Sequence, residues 1–170
     1  MLHRNPISFV LRFLALFSAW MLCSAQRPAL GRDAMDFELS DGRSFVRLSA
    51  LPEKVTLVNF WRADCPPCLK ELPALARLAR SGRARVILVA IHKPSEIETM
   101  PDSLRAHLRM PAILLYAPSQ PRGILSRFGD ASGALPHSVW LDRRREICAT
   151  RTGMIDDTWL EAKSRDCANT

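Results

Sequence analysis

The chain has 170 residues, 48% hydrophobic, 24% charged and 7% aromatic, with a formal net charge of +7. This ordinary globular composition excludes collagen-like, low-complexity and coiled-coil chains. A single long apolar stretch excludes a multi-span membrane protein, and the length fits one domain with one core. Four of the 24 basic residues are Lys (54, 70, 93 and 163) and the rest are Arg. They are scattered, apart from Arg143-Arg144-Arg145, and form no basic stripe interleaved with aromatics, so no nucleic-acid partner is expected.

Residues 1–25 read as an export signal. Arg4 and Arg12 supply positive charge, Phe13 to Leu22 is apolar except for Ser18, and Cys23-Ser24-Ala25 places small residues before a cleavage point at Gln26. The apolar run is short for a membrane span. An uncleaved anchor is the second reading, and acylation at Cys23 a third that Leu22 disfavours. Cleavage removes Cys23 from the five cysteines and leaves Cys65, Cys68, Cys148 and Cys167. An even number in an exported chain suits an oxidising compartment. Residues 26–35 are polar and read as a linker, and residues 36–170 as the folded domain.

Within that domain, Phe37 to Leu48 reads as a β-hairpin turning at Asp41-Gly42, a strong two-residue turn signal. Val55 to Trp61 and Val86 to Ile91 are near-continuous apolar runs, as in parallel strands covered on both faces. Between them, residues 66–80 space Leu69, Leu72, Leu75, Ala76, Leu78 and Ala79 as one face of a helix, giving a right-handed strand–helix–strand unit. Residues 94–109 are expected to form a second helix capped by Ser95 or Asp102. Ile113 to Tyr116 should give a short strand and residues 120–128 a short helix. Ser138 to Leu141 and Glu146 to Thr150 should give a final hairpin. Asp156-Asp157 should open a last helix, where acidic groups suit the dipole.

The chemistry concentrates in Trp61-Arg62-Ala63-Asp64-Cys65-Pro66-Pro67-Cys68. A Cys-x-x-Cys pair at the carboxyl end of a buried strand, opening a helix, is a redox arrangement. The free N–H groups and positive end of the helix stabilise a thiolate, which is the nucleophile in disulfide exchange. Cys65 precedes the helix and is the expected exposed nucleophile. Cys68, inside the first turn, is the expected shielded resolving thiol. A zinc site would need a second ligand pair, and Cys148, Cys167 and the histidines show no such spacing. Pro66 and Pro67 remove two N–H donors from the turn, and Asp64 opposes the anion while Arg62 favours it. Together these predict a moderate thiol pKa and a reducing or intermediate potential.

Leu57-Val58-Asn59-Phe60-Trp61, Cys65-Pro66-Pro67-Cys68 and Glu71-Leu72-Pro73 resemble the thioredoxin superfamily, and within it the exported TlpA/ResA-like thiol–disulfide oxidoreductases. The resemblance covers about residues 36–165. It implies an α/β thioredoxin fold, a central mixed sheet flanked by helices with an N-terminal hairpin extension. It implies a cis-proline opposite the cysteines, at Pro136, with Leu135 departing from the Thr or Val of many relatives. Asn59 stands where classical thioredoxins carry a buried acid. Glu71, three residues after Cys68 on the same side of the helix, matches a functional glutamate of ResA-like proteins and is the candidate for proton transfer. The alternative for Glu71 is a solvated acid in an early turn. The implied partners are disulfide-containing exported proteins, typically in cytochrome c maturation, and a membrane electron donor. The protein is expected to be a monomer whose only redox group is its own dithiol.

A second function is a copper chaperone for oxidase assembly, because soft thiolates select Cu(I). Cys65 and Cys68 would be the ligands, with or without His137 or His92. Cys148 and Cys167 are expected to form a structural disulfide. The alternative is a buried Cys148 and a reactive, frayed Cys167.

Overall fold

The computed structural model describes residues 34–109 and 111–170. The export segment and most of the linker lie outside them. In chain order the elements are β1 (Glu38–Ser40), β2 (Phe45–Arg47), a 3-10 turn (Leu48–Ala50), β3 (Thr56–Trp61), α1 (Pro66–Ser81), β4 (Arg85–Ala90), α2 (Pro94–Glu98) and α3 (Asp102–Arg105). A second 3-10 turn (Ala106–Leu108), β5 (Ile113–Tyr116), α4 (Arg122–Arg127), β6 (His137–Leu141), β7 (Ile147–Thr152) and α5 (Asp157–Asp166) follow. Among the described residues the strands form one mixed sheet in the order β2-β1-β5-β4-β3-β6-β7. Strands β3, β4 and β5 run parallel, and β6 pairs antiparallel with both β3 and β7.

The two apolar runs become central strands because both faces are covered. Every residue of β3 is buried, and alternation sends successive side chains to opposite cores. Leu57 and Trp61 join Val86, Leu88 and Trp140 under α1 and α5, where Leu72, Leu75 and Leu160 complete the layer. Val58 and Phe60 join Ile87, Val89, Val139 and Leu141 under α4, with Phe37 and Leu39 from the N-terminal segment. Each such side chain contributes about 1.5–3 kcal/mol of burial. Helix α1 runs through Pro73 and ends at Gly82, whose φ of 69° is the left-handed conformation a helix C-terminus favours.

Three expectations are corrected. The N-terminal hairpin does not close at a two-residue Asp41-Gly42 turn. Ser40 pairs with Phe45, leaving residues 41–44 in the loop, and the Asp41 carboxylate accepts the N–H groups of Arg43 and Ser44. A side-chain turn of this kind replaces the tighter backbone turn. The single helix over 94–109 is broken into α2, α3 and a 3-10 turn. Pro101 cannot donate within a helix and disfavours helical geometry at Met100. Lys93 and Pro101, rather than Ser95 or Asp102, stand at the two N-caps. The final strand extends to Thr152, two residues beyond the expected end.

Candidate functional site

The site lies at the carboxyl end of β3, where α/β sheets place their ligands. Cys65 is the N-cap of α1, and its sulfur accepts the backbone N–H of Cys68 at 3.3 Å. The next N–H along the helix, that of Leu69, goes to the Cys65 carbonyl at 3.1 Å. Pro66 and Pro67 fill the first helical positions, so no other N–H of that turn faces the sulfur. Cys65 and Cys68 are joined as a disulfide with Cα atoms 5.2 Å apart. Cys65 is half-buried, whereas Cys68 has zero exposure.

Arg62 and Asp64 bond to each other, at 2.8 and 3.1 Å. The hydrogen bond from Arg62 holds the Asp64 carboxyl below its ordinary range. The two opposed charges beside Cys65 therefore largely cancel, and both remain solvated.

Glu71 lies one helical turn inward of Cys68 and is 2% exposed, so it is not a solvated helix-end acid. Burial pushes its pKa from 4.5 up to about 7, against the opposing hydrogen bonds from Asn59 and Ile155. Asn59 Nδ2 donates to Oε1 at 2.7 Å and lies 3.0 Å from Ser138 Oγ. The Ile155 N–H donates to Oε2 at 3.1 Å. Ser138 and Ile155 had no signal in the sequence, because their approach depends on the β3–β6 register and on the chain path into α5.

The Leu135–Pro136 peptide is cis. Phe60 pairs with His137, which sets Pro136 level with Trp61 at the cysteine end of the sheet. The Pro136 carbonyl accepts the Gly153 N–H at 2.8 Å, tying the end of β7 to this loop.

His137 is not brought to the cysteines. It is 1% exposed and projects with Val139 and Leu141 onto the sheet face opposite α1. Its Nε2 is 2.9 Å from the Phe128 carbonyl and its Nδ1 2.8 Å from Thr152 Oγ1. The carbonyl can only accept, so Nε2 carries the proton and Nδ1 accepts from the threonine hydroxyl. No lone pair is left for a metal, which corrects the reading of His137 as a copper ligand. His92 packs edge-on against Trp61, with ring centroids 4.9 Å apart. It lines a cleft of about 350 Å³ with Arg62, Glu96 and Tyr116. Among the described residues no three His, Cys, Asp or Glu side chains converge as a metal site.

Cys148 of β7 and Cys167 at the end of α5 are bonded, with Cα atoms 5.8 Å apart and Cys167 fully buried. The Arg151 guanidinium lies 5.9 Å over the Trp159 ring and joins the same two elements.

The sequence profile of the AhpC/TSA family matches residues 30–154. The chain is 26% identical over 136 residues to the thiol-disulfide oxidoreductase ResA of Halalkalibacterium halodurans, a match covering 77% of this chain and 73% of that one. It is 34% identical over 71 residues to the methylamine utilization protein MauD of Paracoccus versutus, covering 41% of this chain and 36% of that one. A thioredoxin-related protein of Neisseria meningitidis serogroup B shares the fold, with a TM-score of 0.66 at 18% identity over 79% of this chain and 100% of that one. With a disulfide-linked Cys65–Cys68 pair opening a helix at the end of a buried strand, the chain belongs to the AhpC/TSA family of the thioredoxin superfamily and is a thiol–disulfide oxidoreductase.

Proposed function

We propose that the protein reduces disulfides in exported proteins, in the manner of cytochrome c maturation, in the periplasm. The observation that carries the reading is the asymmetry of the cysteine pair. Cys65 is half-buried at a helix N-cap, and Cys68 is fully buried one helical turn before Glu71, whose pKa burial pushes up to about 7. A nucleophile must be reachable, and a resolving thiol must be shielded until the substrate is attached.

In the reduced protein, the Cys65 thiolate attacks one sulfur of a substrate disulfide. A Cys65–substrate bond forms, the substrate bond breaks, and the departing substrate sulfur takes a proton from solvent. Glu71 then accepts the Cys68 proton, and the Cys68 thiolate attacks the Cys65 sulfur. The Cys65–Cys68 disulfide forms and the second substrate sulfur leaves as a thiolate, which takes from Glu71 the proton that Cys68 gave up. Two electrons pass to the substrate, so a dithiol electron donor at the membrane must reduce the pair for another cycle. The cis-Pro136 loop, level with Trp61, gives the substrate chain an edge against which to lie.

Reduction of a disulfide-bonded protein such as insulin, with dithiothreitol recharging the pair, tests this reading. The intact protein should accelerate reduction and Cys65→Ser should abolish the acceleration. Equal rates with and without the protein would refute it.

A further inference from the structure

Glu71 is held by an amide whose two N–H bonds are both engaged. Asn59 Nδ2 serves Glu71 Oε1 at 2.7 Å and Ser138 Oγ at 3.0 Å, which sets the edge of the amide that faces the carboxylate. Asn59 and Ser138 have zero exposure. Asn59 Oδ1 is buried with no hydrogen-bond partner. An orphaned buried acceptor destabilises the fold, and a leucine at this position would carry no such burden. Where a buried polar group has an unpaired atom, a functional state in which that atom is used is the physical explanation to test.

We propose that Asn59, oriented by Ser138, is the positioning residue that holds Glu71 for proton exchange with Cys68, presenting its amide N–H to the carboxylate and its amide oxygen to the carboxylic acid. The inference rests on the role of Glu71 proposed above. A half-turn of the amide exchanges Nδ2 and Oδ1. The oxygen then accepts the Glu71 O–H, and the Ser138 hydroxyl, which can donate as well as accept, bonds to it in either orientation. One amide atom stays unpaired in both orientations, and the N–H bond to the charged carboxylate is the stronger of the two, so the amide favours the anion yet still pairs with the acid. The proton can therefore leave and return without rebuilding the site.

The groups around Glu71 leave this role to Asn59. Helix α1 contributes Cys68, one turn earlier. Strand β3 contributes Asn59, and β6 contributes Ser138, with His137 turned to the opposite face. The segment before α5 contributes the Ile155 N–H. The Asp156 and Asp157 carboxylates are exposed and bond to the Trp159 N–H and to Arg77. No charged side chain adds to the burial that raises the proton affinity of Glu71.

The test compares the full chain with Asn59→Leu, Asn59→Asp and Ser138→Ala. Each is read by 13C NMR of the Glu71 carboxyl and by the pH profile of disulfide exchange. Asn59→Leu should raise the Glu71 pKa by about one unit, a tenfold gain in proton affinity, and move the acidic limb of the profile upward equally. Asn59→Asp adds a second carboxylate and should raise it further. Ser138→Ala should raise it less than Asn59→Leu. An unchanged Glu71 titration in folded Asn59→Leu overturns the inference. If that variant does not fold, an unchanged titration in Ser138→Ala overturns it. A profile that Glu71→Gln also leaves unchanged would sink the Glu71 reading itself. A profile sensitive to Glu71→Gln but not to Asn59→Leu would sink only the role of Asn59.

Discussion

Glu71 is a carboxyl group in a place that resists its ionisation, and this fixes a signature in the pH dependence of stability. An acid whose folded pKa lies above its unfolded value favours the folded state in its neutral form. The penalty is therefore absent below pH 4.5, grows as the pH rises, and is fully present above about 7. Its full size is about 3 kcal/mol. Glu71→Gln removes the titration, so the stability of the variant relative to the parent should rise by up to about 3 kcal/mol between pH 4.5 and pH 8. Urea unfolding of the oxidised proteins at the two pH values measures this, and a pH-independent difference would contradict it. His137 is the opposite case, a fully paired core histidine. His137→Leu strands the Phe128 carbonyl and the Thr152 hydroxyl and should cost about 2 kcal/mol. It should leave the Cu(I) affinity of the reduced protein unchanged in a competition with a chelator. Both residues were visible in the sequence as candidates. The face that His137 takes was not, because a one-residue difference in strand register decides which side of the sheet a residue takes.

At the scale of elements, the Cys148–Cys167 bridge joins residues 19 positions apart in sequence, one in β7 and one at the end of α5. A loop of that length stabilises by about 3 kcal/mol in the chain-entropy model. Replacing both cysteines with Ala should lower the unfolding free energy by about that amount and leave the equilibrium of the 65–68 pair unchanged. Calorimetry and a redox titration read the two effects separately. The central β3–α1–β4 unit was legible because its apolar runs and helical spacing are strong local signals, and its observed ends fall within one residue of the expected ones. The segment between β4 and β5 departs from the single helix expected because the effect of Pro101 is local and decisive. The hairpin turn was misjudged because the Asp41 side chain offers the backbone an alternative closure.

For the whole molecule, the potential of the pair follows from what its helix terminus lacks. One N–H reaches the Cys65 sulfur, and the Arg62 and Asp64 charges pair with each other. Strong oxidants stabilise their reduced form through such donors and charges, and this site has few of them. The potential should be well below the value of about −120 mV typical of DsbA and closer to the value of about −270 mV of thioredoxin. Equilibration with dithiothreitol or glutathione buffers measures it, and a value near that of DsbA would contradict the argument from Pro66 and Pro67. The redox chemistry was readable from a four-residue motif and its strand–helix setting. The hydrogen bonds that join Asn59 and Glu71 to Ser138 and Ile155 were not, since they link residues as far as 84 positions apart in sequence.

The central claim is the division of labour between the two sulfurs, and trapping tests it most directly. Reduced Cys68→Ser is mixed with a disulfide-bearing protein and quenched with acid, and the products are mapped by mass spectrometry. The account predicts a persistent mixed disulfide on Cys65, and no adduct when Cys65→Ser is treated in the same way. Adducts forming on Cys68 in Cys65→Ser as fast as on Cys65 in Cys68→Ser would contradict it.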